Sequence, residues 1–372
     1  MTGNRQLSAN NKITHMQAGV VAFVLLTTFK LSLFPSVIAI EGKASAFYIV
    51  LTMALAEGAI ALLSLYVASR GGLSELKIKR WLKTVICIAL FPLAIIKTAG
   101  YLFEFGYFIT GTMFENISNV AIFMAVLICV MYMASKGFSG ISRTALLLIW
   151  SLLFALLYNA VFGELKGDFI NLFPQLRGDE NFGVILKSGF WFGDGFVFLF
   201  MDMSDDKKGK LRGKRWFTVS AVALSFLFTA LFFLAFFAVY GESATLVNNA
   251  FYRVMTQNER AEVVGVLDWP IMLVWIINGI VSISVLACTA ERALAVLFEK
   301  GLGKSAPIRP WYIGACAILT SLAYFILFEN RYRYFTFTVN TVTGTVFVIL
   351  QFLTVILAFG ATVRRKNELQ KG

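Results

Sequence analysis

Four ionisable side chains, Lys30, Glu57, Lys97 and Asp194, fall near the middle of long apolar runs. A central charge costs roughly 2.5 to 3.5 kcal/mol in a membrane helix, so four unpaired charges would cost on the order of 10 kcal/mol. Two acids and two bases allow complete internal pairing. We therefore expect a buried charge network, which either lies beside a ligand cavity or serves only as a structural set of salt bridges.

The segment from Gly189 to Gly195 places three glycines and Asp194 near the centre of an apolar run. Glycine favours unwinding, and unwound backbone at membrane depth is tolerated where it lines a cavity or is buried in protein. Gly189 and Gly193 also form a GxxxG pair, which is typical of tight helix packing. The carboxylate favours the first interpretation because packing does not need it.

A second interruption is predicted in the first apolar run, where polar residues precede Pro35. Two discontinuous helices, the first and sixth of ten, form the mid-bilayer substrate site in transporters built as five-plus-five inverted repeats. Lys30 or Asp194 would be available to a charged ligand group. The candidate ligand-binding residues are Thr27, Thr28, Lys30, Tyr101, Phe192, Gly193, Asp194, Trp275 and Asn278.

Two further charged residues, Glu104 and Lys187, lie nearer the predicted outer surface. Long side chains near the end of a membrane helix can reach the interface by snorkelling, so we expect both to do so and assign them little role in function.

The sequence offers little for metal or catalytic chemistry. His15 is the only histidine, and the four cysteines lie singly inside apolar segments. No ordered set of nucleophile, base or metal ligands is present in the sequence. We predict no catalytic site, metal site or cofactor, and a membrane-embedded enzyme is the weakest function class.

The elements that position these residues are predicted to be membrane helices. Of 372 residues, 58% are hydrophobic and 15% charged, whereas soluble domains carry about a quarter charged residues. Apolar runs of about 20 residues cross a bilayer, which predicts an all-α integral membrane protein. The ten predicted runs are 14–40, 44–69, 84–109, 118–135, 144–161, 183–202, 216–240, 265–289, 310–328 and 337–362.

The basic residues predict the orientation in the membrane. Of 33 Lys and Arg residues, 23 fall in the N-terminal tail and the loops on its side, and 7 fall on the other side. The positive-inside rule then predicts that both termini lie on the cytoplasmic side of the membrane. We expect that membrane to be a bacterial inner membrane. The net charge of +12 is spread over short loops, so a nucleic-acid partner is not indicated. We predict a cytoplasmic tail (1–13), one ten-helix membrane domain (14–362) and a second cytoplasmic tail (363–372).

The eighth run resembles the spore germination permease family, the B subunits of spore germinant receptors, within the amino acid-polyamine-organocation superfamily. In the matching stretch, Asp268 is followed seven positions later by Trp275 and then by a glycine-containing apolar run. Phe192 to Asp194 is similar to a Phe-Gly-Glu in the family's sixth helix, and the segment 101–112 is similar to one after its third. The first run lacks the glycines that usually mark its break, and Val266 stands where an arginine is usual.

The resemblance implies a LeuT-like bundle that binds an amino acid or similar nutrient beside A-type and C-type partner subunits in the spore inner membrane. Ligand binding between the first and sixth helices would favour one arrangement of the bundle, and this bias would pass to the partners. Lys30 would either supply a positive charge to the ligand or be held by Glu57. The alternative is a proton- or sodium-coupled amino acid permease, with Asp194 or Glu57 carrying a coupled proton.

Overall fold

The computed structural model describes residues 12–75, 79–113, 116–164, 178–203, 211–256, 265–298 and 310–371. These residues are helical, apart from turns, short connections and one isolated parallel bridge between Ile13 and Met203. Helices satisfy their own backbone hydrogen bonds, which the interior of a bilayer requires. Most of the predicted N-terminal tail, residues 1–11, lies outside the described residues.

We label the α-helices of seven or more residues in chain order. They are α1 (His15–Thr27), α2 (Phe34–Gly42), α3 (Ala46–Ala68), α4 (Arg80–Thr112), α5 (Asn119–Ser135), α6 (Gly137–Glu164), α7 (Gly178–Lys187), α8 (Leu211–Tyr240), α9 (Ala250–Thr256), α10 (Gly265–Phe298), α11 (Pro310–Leu327), α12 (Arg331–Thr338) and α13 (Thr341–Lys371).

The protein is a multi-pass membrane protein. Six helices of the described residues, α3, α4, α6, α8, α10 and α13, are each long and apolar enough to cross a membrane. Three bent pairs reach that length only together, which raises the number to nine if each pair is one span. Helix α5 is a shorter apolar helix of 17 residues. Each of the ten predicted apolar runs overlaps a helix or a bent pair. That the chain crosses the membrane ten times stays a prediction.

Helix α1 lies in the interior of the bundle, packed against α6, α8 and α10. Nearly all of its residues are buried, which is the pattern expected of a helix that is apolar all round. The outer helices instead carry apolar side chains on their free surface, such as Leu147 and Trp150 of α6, which are 83% and 78% exposed. An apolar surface of this kind fits lipid contact.

Candidate functional site

The first span is broken between α1 and α2, whose axes differ by 58°. The hydroxyls of Thr27 and Thr28 donate to the carbonyls of Phe23 and Val24 at 2.7 Å each, and such bonds compete with the regular helix ladder. A single 3-10 turn, Phe29–Leu31, follows. Pro35 then occupies the first turn of α2, where its missing N–H is tolerated. The break predicted before Pro35 is therefore present.

The second break separates α7 from the 3-10 segment Asp194–Phe200, and the two halves are bent by 46°. Gly193 joins them with φ of 87°, a left-handed conformation that favours glycine. Gly189 has a different role, because a Cβ there would collide with the backbone of Gly344 in α13. The packing and unwinding interpretations thus apply to different glycines.

The two breaks meet at two buried ion pairs. The Nζ of Lys30 lies 2.8 Å from Oε2 of Glu57 on α3, and Lys97 of α4 pairs with Oδ1 of Asp194. All four side chains are at most 3% exposed. The other oxygen of Glu57, Oε1, accepts the backbone N–H groups of Gly193 (2.9 Å) and Asp194 (3.0 Å). Glu57 therefore links the first break to the second.

The remaining polar atoms of the network also have partners. Lys30 donates to the carbonyl of Leu26 at 2.8 Å, and Lys97 donates to the carbonyl of Phe192 at 3.0 Å. The hydroxyl of Tyr101 donates to Oδ2 of Asp194 at 2.8 Å. The four charges cancel, as the desolvation cost of buried ions requires.

Gln351 of α13 completes the network, and the sequence interpretation missed it. With its amide oxygen turned toward Lys97, it accepts from Nζ at 3.0 Å and donates to the carbonyl of Phe192 at 2.7 Å. A polar amide near the middle of the last apolar run was the available signal.

The space beside the network is small. A cavity of about 10 Å³ is lined by Lys30, Glu57 and polar residues of α8 such as Ser225 and Thr229. This volume holds about one water molecule. The charges are thus enclosed by protein, and a nutrient-sized ligand needs rearrangement of the breaks to reach them.

The other candidate residues occupy distinct positions. The ring of Phe192 lies 5.4 Å from Nζ of Lys30, at a distance typical of a cation–π contact. Trp275 stacks on Phe251 of α9 at 3.9 Å, and α9 is tied to the first break because the N–H of Ala250 donates to the carbonyl of Ser32.

Asn278 lies one turn beyond Trp275 on α10 and is fully buried. Its Nδ2 donates to the carbonyl of Val274 at 2.7 Å. Its Oδ1 has no hydrogen-bond partner among the described residues. The structure thus joins Tyr101 and Phe192 directly to the charges, whereas Trp275 and Asn278 form no such contact in the described ranges.

The prediction that Glu104 reaches the surface by snorkelling is wrong. Its side chain is fully buried, and Oε1 accepts from the indole N–H of Trp191 at 3.2 Å. The prediction used only depth along the helix, whereas Glu104 is covered by Trp191 of the second break, and Tyr334 of α12 stacks on the neighbouring Phe103. Lys187 is part-exposed, in agreement with its prediction, and pairs with Glu41 at 2.6 Å.

A larger cavity of about 360 Å³ lies toward the predicted outer side. It is lined by one face of α2, by Thr245 and Asn248, and by one face of α12. The guanidinium of Arg331 lies in its wall and donates to Oδ1 of Asn248 at 2.9 Å. Leu33, in the first helix break, forms another part of the lining. The cavity is large enough for a small nutrient.

The family model described as spore germination protein matches residues 72–332, well over half of the sequence. The chain belongs to this spore germination protein family. The family resemblance of the eighth run is thereby confirmed. No curated protein matches this family member.

Solved structures that resemble this spore germination protein include transporters with a LeuT-like fold. A variant of the Eremococcus coleocola manganese transporter matches with a TM-score of 0.60 at 14% identity, covering 93% of this chain and 78% of the other. A sodium-coupled sialic acid symporter, captured substrate-bound and outward-open, matches with a TM-score of 0.58 at 12% identity, over 88% and 76% of the two chains. Identity this low shows a shared fold and says nothing about cargo.

The family and the structural neighbours are permease-like proteins and transporters, not enzymes. In the part of the chain that the structure describes, no three His, Cys, Asp or Glu side chains are grouped closely enough to hold a metal ion. The acids at the helix breaks are paired with lysines instead.

Proposed function

We propose that this spore germination protein is the ligand-binding, permease-like subunit of a spore germinant receptor, and that its ligand is an amino acid or similar small nutrient. One observation carries the proposal beyond the family: the backbone amides of Gly193 and Asp194, freed by the second break, hold a carboxylate. In this structure the carboxylate is that of Glu57. The same amides suit the carboxylate of an amino acid once the breaks rearrange.

A five-plus-five inverted repeat is part of the proposal, and helix packing supports it. If each of the first five spans matches the span five places later, the contact of the first span with α8, made by α1, corresponds to the contact of the sixth span with α3, made by Asp194–Phe200. The α5–α10 contact likewise corresponds to α11–α4, and the α1–α6 contact to α7–α13. Spans five crossings apart run in opposite directions, so such a repeat is inverted.

The proposed cellular setting follows from the family and the charge pattern. The chain would lie in the spore inner membrane, with both termini in the cytoplasm and with A-type and C-type subunits beside it. Ligand binding would shift the population of two bundle arrangements, and the partners would respond to that shift. Such a sensor does not need to release its ligand on the far side.

A proton- or sodium-coupled amino acid permease is the second candidate. The transporter fold of the neighbours and the buried carboxylates of Glu57 and Asp194 favour it, since buried carboxylates in membrane helices often carry protons.

The first experiment is a ligand screen on the purified chain in lipid nanodiscs. We expect a subset of amino acids to raise the unfolding temperature, and nucleosides and sugars to leave it unchanged. The variants Lys30→Gln and Asp194→Asn, alone and together, test the site. If ligand binding is retained in all of them, the charge network has only a structural role. A chain stabilised by none of the compounds would contradict the proposal.

A second experiment separates sensor from permease. The chain alone is reconstituted into vesicles with a proton or sodium gradient, and uptake of each binding amino acid is measured. Binding without accumulation supports the sensor. Robust accumulation driven by the gradient supports the permease.

A further inference from the structure

A second buried polar cluster lies beside the charge network, one turn further along α4. Oε2 of Glu104 has no hydrogen-bond partner among the described residues, and neither has the hydroxyl of Tyr334 on α12. Both side chains are fully buried. Trp191 lies beside both, since its indole N–H donates to Oε1 of Glu104 at 3.2 Å and its ring lies against that of Tyr334. Buried polar atoms are rarely left without partners, so each of these two oxygens is available to accept a hydrogen bond from a ligand.

Aromatic rings from four parts of the chain surround this cluster. Trp191 lies 5.2 Å from Phe34 of α2 and 6.5 Å from Tyr334, measured between ring centroids. Phe103 of α4 stacks on Tyr334 at 4.7 Å, and Phe190 lies 6.1 Å from it. Aromatic faces combined with a carboxylate are the usual means of recognising an ammonium group.

Among the described residues, no cation accompanies the cluster. Lys30 and Lys97, the lysines of the neighbouring network, are paired with Glu57 and Asp194. No salt bridge to Glu104 is formed within the described ranges. An ionised carboxylate buried among aromatic rings is unfavourable unless a positive group accompanies it. A ligand with a positively charged group would therefore supply the counter-charge that the Glu104 carboxylate needs.

We infer that Glu104, Trp191 and Tyr334 form the subsite for the protonated amino group of the ligand. The inference rests on the proposed function and narrows it to primary and substituted amines, amino acids included, in preference to sugars and nucleosides. Glu104 provides the counter-charge, the Tyr334 oxygen accepts an N–H, and the rings exclude water. The carboxylate of Glu104 is held in place by the Trp191 indole.

The outer cavity provides the route to this subsite. Leu33 lines the cavity, and the ring of the next residue, Phe34, lies 5.2 Å from that of Trp191 in the cluster. Arg331 and Phe335 of α12 face the cavity, while Tyr334 of the same helix faces the cluster. A displacement of the first break against α12 would thus open the cluster to the cavity.

The test compares amines with analogues that lack the amino group. The purified chain in nanodiscs is titrated with the twenty protein amino acids, with the 2-hydroxy acid of the same side chain for each one that binds, and with methylamine and choline. We expect the wild type to bind the amine at least about tenfold more tightly than the hydroxy acid, the ratio that corresponds to 1.4 kcal/mol. Glu104→Gln removes the charge while retaining the shape, and should abolish this preference.

The titration is repeated with two further variants, one that tests the subsite again and one that is a control. Tyr334→Phe keeps the ring packing and removes only the hydroxyl, so affinity for the amine should fall several-fold. Glu329→Gln removes an exposed carboxylate that pairs with Arg333, and should leave the preference unchanged. If Glu104→Gln does not fold, the result for Tyr334→Phe decides whether the inference stands. Unchanged affinity of Tyr334→Phe for the amine overturns the inference.

The outcomes separate this inference from the function on which it rests. A folded Glu104→Gln protein that still prefers amines overturns the inference. A Glu104→Gln protein in which only the pH dependence of binding changes also overturns it, because Glu104 would then bind a proton and not the amino group of the ligand. A wild type that binds small nutrients without preferring amines also overturns it, while ligand binding itself stands. A wild type that binds none of the compounds contradicts both.

Discussion

Each of the four central charges is paired with a residue on a different element. Lys30 of the first break pairs with Glu57 of α3, and Asp194 of the second break pairs with Lys97 of α4. Buried pairs of this kind contribute little net stability relative to apolar residues, but removing one partner leaves a costly unpaired charge. We infer that the pairs specify how the breaks fit together.

This reasoning predicts strong coupling between Lys97 and Asp194. Lys97→Met and Asp194→Asn should each lower the free energy of unfolding by about 3–5 kcal/mol, because each leaves one buried charge. The double variant should cost less than the sum of the two, by about 0.5–3 kcal/mol. Reversible unfolding in mixed micelles provides the measurement.

The matched control combines Asp194→Asn with Glu329→Gln, a carboxylate that is 57% exposed. These two changes should add within about 0.5 kcal/mol, because distant sites with no shared partners behave independently. Simple additivity of the Lys97 and Asp194 variants would show that the ion pair is not energetically coupled.

The sequence identifies charged residues more readily than their partners. Lys30, Glu57, Lys97 and Asp194 stand out because lipid makes an isolated charge expensive. The Lys30–Glu57 pair was one of two alternatives offered for Lys30. Which acid pairs with which base depends on how the helices pack, and the spacing in the sequence does not decide it. Gln351 was missed because a single amide in an apolar run costs less than a charge and attracts less attention.

The two helix breaks have different local causes. In the first, threonine hydroxyls and a proline weaken the ladder. In the second, Gly193 adopts a left-handed conformation. Both breaks could be predicted because they depend on residue types within a few positions. The 98° bend between α11 and α12 was not predicted, because Tyr334 becomes buried through rings distant in the sequence, such as Phe103 of α4 and Phe190 at the second break.

Replacing Gly193 by alanine should destabilise the protein by about 2 kcal/mol or more. A left-handed conformation alone costs roughly 1–2 kcal/mol for residues other than glycine, and the added Cβ would collide with the side chain of Gln351. The free energy of unfolding in mixed micelles gives the measurement.

Gly314→Ala is the matched control, because a Cβ at Gly314 in α11 meets no atom within 4 Å. Alanine in a helix interior is favoured over glycine by about 1 kcal/mol, so this variant should be as stable as the wild type or more so. Equal effects of the two substitutions would contradict the role assigned to Gly193.

The whole molecule combines a transporter fold with a closed, charge-neutral centre and a cavity near the predicted outer side. That side was inferred from the distribution of Lys and Arg, and it determines from which compartment a ligand arrives. Composition and the length of the apolar runs were sufficient to predict a helical membrane bundle. The closure of the centre was not predictable, because it depends on side chains from many helices meeting at once.

The predicted orientation can be tested by labelling single cysteines in protoplasts. In a background without native cysteines, Leu246→Cys should react with a membrane-impermeant maleimide, because Leu246 is 81% exposed and lies on the predicted outer side. Lys79→Cys, on the opposite side, should react only after the membrane is permeabilised. The reverse pattern would show that the orientation is inverted.

The contact between Glu57 and the amides of Gly193 and Asp194 has a consequence for sensitivity. Any acid that used those amides would compete with a tethered one, and tethering gives a group an effective concentration in the millimolar range or above. Half-occupancy would then occur at a correspondingly higher level of the free acid. A receptor built in this way would ignore traces of nutrient and respond to abundance.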